Sequence, residues 1–206
     1  MRIAVISDTH MAHEGLEIPD ADVIVHAGDF CGHGTLEEVE VFAAFFRALP
    51  HRHKIMIAGN HDWPLERTPN EARELLAGCG YLQDEAVAID GVNFYGSPWQ
   101  PRFLDWAFNL DRGPLLAEKW ALIPNDTDVL ITHGPPRGHG DVCFNGERAG
   151  CADLLRRVRD VQPKFHLFGH IHEGHGRYED GATTFINASS CTLMYEPTQA
   201  PFVVEL

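Results

Sequence analysis

Eight side chains able to bind a metal or move a proton stand at five points of the chain, each just past a short apolar run. They are Asp8 and His10, Asp29, Asn60 and His61, His133, and His170 with His172. Carboxylate and amide oxygens mixed with imidazole nitrogens suit Mn, Fe, Zn and similar divalent ions, and the near absence of thiols speaks against a structural zinc. Two such ions about 3.5–4 Å apart can clamp an in-line displacement at phosphorus and share a bridging hydroxide. A carboxylate such as Asp29 has two oxygens and can bridge both ions, whereas the amide of Asn60 adds an oxygen without adding negative charge. Each pair of residues alone carries little information; the ordered set carries a great deal.

The elements that would position these donors follow from the runs before them. Ile3–Ile6, Asp22–His26, Lys54–Ile57, Val129–Ile131 and Phe165–Phe168 are short and apolar, with many β-branched residues, as expected of strands buried on both faces. Helices are expected between them. Leu36–Leu49 carries an apolar stripe and is followed by Pro50; Glu71–Ala77 is expected to be capped by Asn70 and ended by Gly78; Ala149–Val161 is stopped by Pro163. Ala86–Tyr95 reads as strand, Asp90-Gly91 turn and strand, and Thr183–Asn187 and Phe202–Glu205 as two more strands. Strands alternating with helices, then further strands, predict a layered α/β sandwich, within which the strand ends line one ligand-binding crevice. The segment Gly96–Pro114 is long for a connection and predicts a lid or binding loop.

The ordered set Asp8-x-His10, Gly28-Asp29, Gly59-Asn60-His61-Asp62, His133-Gly134 and Gly169-His170-x-His172 resembles the calcineurin-like metallophosphoesterase superfamily over essentially the whole chain. Within it, Thr132-His133-Gly134-Pro135-Pro136, Phe168 to Gly174, Ile186-Asn187-Ala188-Ser189 and Gly96 to Pro101 are similar to the metallophosphoesterase-domain brain proteins. The resemblance implies a four-layer α/β/β/α sandwich of two mixed sheets flanked by helices, in one domain over residues 1–206. It also implies roles: Asp8, His10 and His172 for a first metal, Asp29 shared, and Asn60, His133 and His170 for a second. His61 would be the general acid, oriented by Asp62. The activity implied is hydrolysis of small phosphodiesters, cyclic nucleotides included, with two divalent ions as cofactors, Mn first and Fe, Zn, Co or Ni as alternatives. A phosphomonoesterase or protein phosphatase, and a non-catalytic binding scaffold, are the rivals. The scaffold would show an eroded ligand set, and here no ligand is missing.

The bulk of the chain bounds the partners. Thirty acids against 16 Lys and Arg give a net charge of −14, which repels long nucleic acids but not a small phosphate ester beside bound cations. Five widely spaced cysteines and no CxxC pair argue against a disulfide scaffold and for a reducing cytoplasm. No signal pattern precedes the first strand and no apolar run is of membrane length, so no membrane partner is expected. His26 and His166, inside apolar runs, are expected in the core or just behind the ligands, and His33, His51, His53, His139 and His175 at the surface, with a role near the site for His33 or His139 as the alternative. Cys31 is expected to be buried and inert. Trp99, Phe103, Trp106 and Phe108 are expected to pack locally, with a base-stacking platform as the alternative, and Arg102 and Arg137 either to meet substrate phosphate or to be solvated.

Overall fold

The computed structural model describes Met1–Leu206. Its first half alternates strand and helix: β1 (Arg2–Ile6), β2 (Val23–His26), α1 (Leu36–Ala48), β3 (His53–Met56), α2 (Pro64–Arg67), α3 (Pro69–Leu75). A hairpin of β4 (Glu85–Ile89) and β5 (Val92–Ser97) follows, then the two-residue strands β6 (Gln100–Pro101) and β7 (Asn109–Leu110). The second half runs α4 (Pro114–Ala121), β8 (Val129–Thr132), α5 (Ala152–Val161), β9 (Phe165–Phe168), β10 (Gly176–Asp180), β11 (Thr183–Asn187) and β12 (Phe202–Glu205).

Two mixed sheets result, in the orders β12-β1-β2-β3 and β10-β11-β9-β8-β5-β4. Alternation along β1 shows how the layers arise. Ile3 and Val5 face the second sheet, in an apolar layer shared with Val25, Ile131, Leu167 and Ile186. Ala4 and Ile6 face the other way, onto Phe42, Phe46 and Ala72 of α1 and α3. On the far side of the second sheet, Tyr95, Leu130 and Phe168 meet Trp120 of α4 and Leu154 and Val158 of α5. Helix, sheet, sheet, helix is therefore the observed layering, as the resemblance implies. No helix is long and apolar enough to cross a membrane.

Local chemistry sets the helix ends. Thr35 Oγ1 accepts the Glu38 N–H while the Glu38 carboxylate accepts the Thr35 N–H, a reciprocal cap that fixes the entry to α1. Asn70 does not cap α3. Pro69, whose ring presets the helical φ, occupies the first turn, so the helix starts two residues earlier than expected and Asn70 lies inside it. Helix α5 starts at Ala152 rather than Ala149, because Ala149 and Cys151 donate their N–H groups to Asp141 and Pro135 instead. Five elements, α2, β6, β7, α4 and β10, were not expected from the sequence. The segment Gly96–Pro114 is folded back rather than free: β6 pairs with β7, Ala107 N–H donates to Asn60 O and Phe108 N–H to Glu66 Oε1.

Candidate active site

β1, β2 and β3 run parallel, as do β5, β8 and β9, and the loops leaving β1, β2, β3, β8 and β9 carry the eight donors. The structure brings all eight together. Asp8, His10 and His172 place one donor atom each within 4.8 Å of one another; so do Asp29, His133 and His170, and so do His10, Asp29 and His61. Asn60 joins the second group through Oδ1, 3.0 Å from His133 Nε2. Asp29 Oδ2 lies 3.3 Å from His133 Nε2 and 3.9 Å from His10 Nε2, between the two groups, where a bridging oxygen belongs.

The imidazoles are aimed by their far nitrogens. His10, His133 and His172 each have Nδ1 against a backbone carbonyl, of Cys31 at 3.2 Å, Ala27 at 2.9 Å and Thr192 at 3.0 Å. A carbonyl only accepts, so Nδ1 carries a proton, and Nε2, once it gives up its own, turns a lone pair inward. The Nε2 atoms of His10 and His172 stand 3.3 Å apart. Two lone pairs at that distance repel unless a proton or a cation lies between them. Together with two fully buried carboxylates, this donor set fits divalent ions.

Backbone amides orient the carboxylates in turn. His170 N–H donates to both oxygens of Asp8 at 3.0 Å, and His61 N–H to Asp29 Oδ1 at 2.8 Å. Aiming these groups costs backbone freedom: Asp8, His10, Asp29 and His170 all have left-handed φ, from 41° to 69°. The motif glycines serve close approach, since a Cβ at Gly59 would overlap Asp29 and one at Gly169 would overlap Asp8 and Ser7.

Asp62 does not orient His61. His61 Nδ1 donates to Gly32 O at 2.8 Å, while the Asp62 carboxylate accepts the backbone N–H groups of Asp29, Cys31 and Gly59 at 2.7–2.9 Å. The adjacent residue in sequence thus ties the second and third ligand loops together and leaves the ring to a distant carbonyl. Burial and the Asp29 charge push the Asp62 carboxyl up to about 8 against those amides.

The ligands have further support from residues distant in sequence. Ser189 Oγ donates to Asp8 Oδ2 at 3.0 Å across 181 residues of chain. His26 and His166 meet both expectations: they are in the core, and each braces a ligand loop, through Thr9 Oγ1 at 3.0 Å and Thr132 Oγ1 at 2.9 Å, the residues before His10 and His133. Cys31 is buried, and burial pushes its thiol up, consistent with an inert group. His51 is not at the surface but buried against Pro19 O, and His139 is half-buried, stacked on Phe185 with ring centroids 4.1 Å apart.

The site forms the floor of a cavity of about 570 Å³. The folded-back segment contributes Arg102, Phe103, Leu104 and Trp106 to its lining, with Phe144, Leu193 and Tyr195. Local packing holds for Trp99 and Phe108, whose rings meet edge to face at 5.6 Å, but not for exposed Phe103. Arg102 is paired with Asp111 and Arg148 with Asp141, and Arg112 donates to the carbonyls of Ala149 and Gly150.

Protonation in the metal-free protein marks where cations would sit. Burial opposes charge on His133 and His172, but Asp29 and Asp8 overcome it and raise each to about 9. His170 is depressed to about 3, by burial and then by the His133 charge. A histidine raised on folding stabilises fully below its unfolded pKa near 6.5, and that stabilisation is lost as pH rises through 9. Histidines 26, 166 and 170, depressed to about 3, have finished titrating above about pH 7.5. The metal-free protein is therefore expected to lose melting temperature between pH 7.5 and 9, while the increment from added Mn²⁺ grows over the same window as the ion displaces the two protons. Differential scanning fluorimetry with and without Mn²⁺ checks both slopes; an increment that shrinks with pH would refute the competition.

Comparison with known proteins agrees with this geometry. The family model described as calcineurin-like phosphoesterase matches residues 1–174. The chain is 44% identical to Metallophosphoesterase domain-containing protein 1 of Homo sapiens and to its Mus musculus counterpart, over 100% of this chain and 71% of each relative. Its fold is similar to that of phosphopantetheinyl hydrolase from Mycobacterium tuberculosis, with a TM-score of 0.67 at 16% identity, covering 98% of this chain and 95% of that one. By the match over residues 1–174 and the full-length likeness to the mammalian proteins, the chain belongs to the calcineurin-like phosphoesterase family.

Proposed function

We propose that the protein is a metal-dependent phosphodiesterase acting on small diesters, cyclic nucleotides among them. The observation that carries this reading is the pair of donor groups sharing Asp29 at the floor of a cavity large enough for a nucleotide-sized ligand. Two divalent ions held there, Asp8, His10 and His172 on one side and Asn60, His133 and His170 on the other, would supply an activated water and positive charge for the phosphate oxygens. Mn²⁺ is the first choice for both.

The chain's own residues do the rest. Nδ1 contacts with backbone carbonyls keep the ligand rings in one orientation. His61, with Nδ1 held by Gly32 O, presents Nε2 toward the cavity, where it protonates the departing oxygen; an alkoxide leaves poorly at neutral pH without that proton. Preference for a diester is supported by the arginines: two of the three lining the cavity are paired with acids, which offset part of the charge that a monoester dianion would call on. Exposed Phe103, Leu104 and Phe144 around the mouth suit the organic part of an ester. A net charge of −14 keeps long nucleic acids away.

The test is turnover by metal-stripped protein reloaded with Mn²⁺, with bis-p-nitrophenyl phosphate beside p-nitrophenyl phosphate. Metal-dependent hydrolysis favouring the diester is expected. Preference for the monoester would assign a phosphatase instead, and two bound metals with no turnover of either ester or of a cyclic-nucleotide panel would refute the reading.

A further inference from the structure

His61 is held on two sides. Its Nδ1 contact with Gly32 O fixes the edge of the ring, but one hydrogen bond leaves the plane free to swing about it. The plane is set by Trp106: the indole stacks on the imidazole with centroids 4.3 Å apart and planes 25° from parallel, while His10 meets the same ring nearly edge-on at 4.6 Å. Trp106 is delivered there by the folded-back segment. The next residue, Ala107, donates its N–H to the carbonyl of Asn60, the residue just before His61, and Phe108 N–H is held by Glu66. The indole and the imidazole thus share a backbone anchor.

We propose that Trp106 is a positioning residue for His61, holding the imidazole plane so that Nε2 points at the leaving oxygen. This rests on the reading of His61 as the acid. It separates Trp106 from Trp99, which packs on Phe108 and donates to Asp84 away from the ligand loops. It also explains why a segment of this length folds back over the site: its register is set at Asn60, one residue from the group it must orient.

Two readouts test it. In the metal-free protein, the ring protons of His61, assigned by the resonance lost in His61→Asn, should lie upfield because they sit over the indole face. Trp106→Leu should return them to the ordinary histidine position, and Trp106→Phe should keep part of the shift. In the Mn²⁺-loaded protein, Trp106→Leu should keep two metals, with KM changed much less than kcat, and lose about 10- to 100-fold in kcat on a diester with an alkyl leaving group, the size expected when a catalytic group is misplaced by about 1 Å. It should stay close to the parent on bis-p-nitrophenyl phosphate, and Trp106→Phe should recover most of the loss. A His61 resonance unmoved by Trp106→Leu, or equal losses on both esters, would overturn the proposal. If His61→Asn itself loses equally on both esters, the acid reading fails instead, and the resonance still decides whether Trp106 orients the ring.

Discussion

Asp29→Ala is expected to abolish hydrolysis and to lower the metal content below one ion per chain. The reason is geometric. Asp29 Oδ2 stands between His133 Nε2 and His10 Nε2, and Oδ1 accepts the His61 N–H, so one side chain belongs to both donor groups and to the acid's loop. Its removal also leaves His133 without the partner that raises it. A loss of more than about 10³-fold, a barrier increase of roughly 4 kcal/mol, is expected. Metal analysis beside turnover of bis-p-nitrophenyl phosphate decides it: a variant with two ions and parental activity would end the dinuclear mechanism.

His61→Ala has the second-largest expected effect, of a different kind. The side chain contributes one donor to a group that His10 and Asp29 complete, while the two principal nests do not need it. Both ions should therefore stay bound. A general acid contributes about 10²- to 10⁴-fold where the leaving group needs a proton, and little where it does not. The variant should lose that factor on an alkyl diester and less than about tenfold on bis-p-nitrophenyl phosphate. Equal loss on the two would remove the acid role.

The donors were legible because each stands just beyond an apolar run, and in a layered α/β fold such positions converge whatever the intervening chain does. The layering was legible for the same reason: the continuous runs in β2, β8 and β9 can only be strands covered on both faces. What could not be read were contacts between residues far apart in sequence. Gly32 orienting His61, Ser189 holding Asp8 and Trp106 covering His61 each join loops whose relative placement is set by sheet order, not by local pattern. Asp62 misled because adjacency to His61 suggested a bond that the turn geometry directs to three amides instead. His51 and His139 misled because a polar residue in a polar stretch gives no hint of a neighbouring ring or carbonyl.

The left-handed backbone at the ligand positions carries an evolutionary consequence. For His10, at φ 41°, and His170, at φ 69°, that conformation costs about 1–2 kcal/mol relative to a residue that adopts it freely, and glycine is such a residue. Glycine at either place would relieve that strain at the expense of the contacts the rings make, His10 with Cys31 O and Tyr195 and His170 with His133. Each such exchange would remove one donor and leave the buried core, which holds neither ring, untouched. Loss of metal binding with the fold retained is thus a short step for this architecture, and this chain has taken it at none of the donor positions.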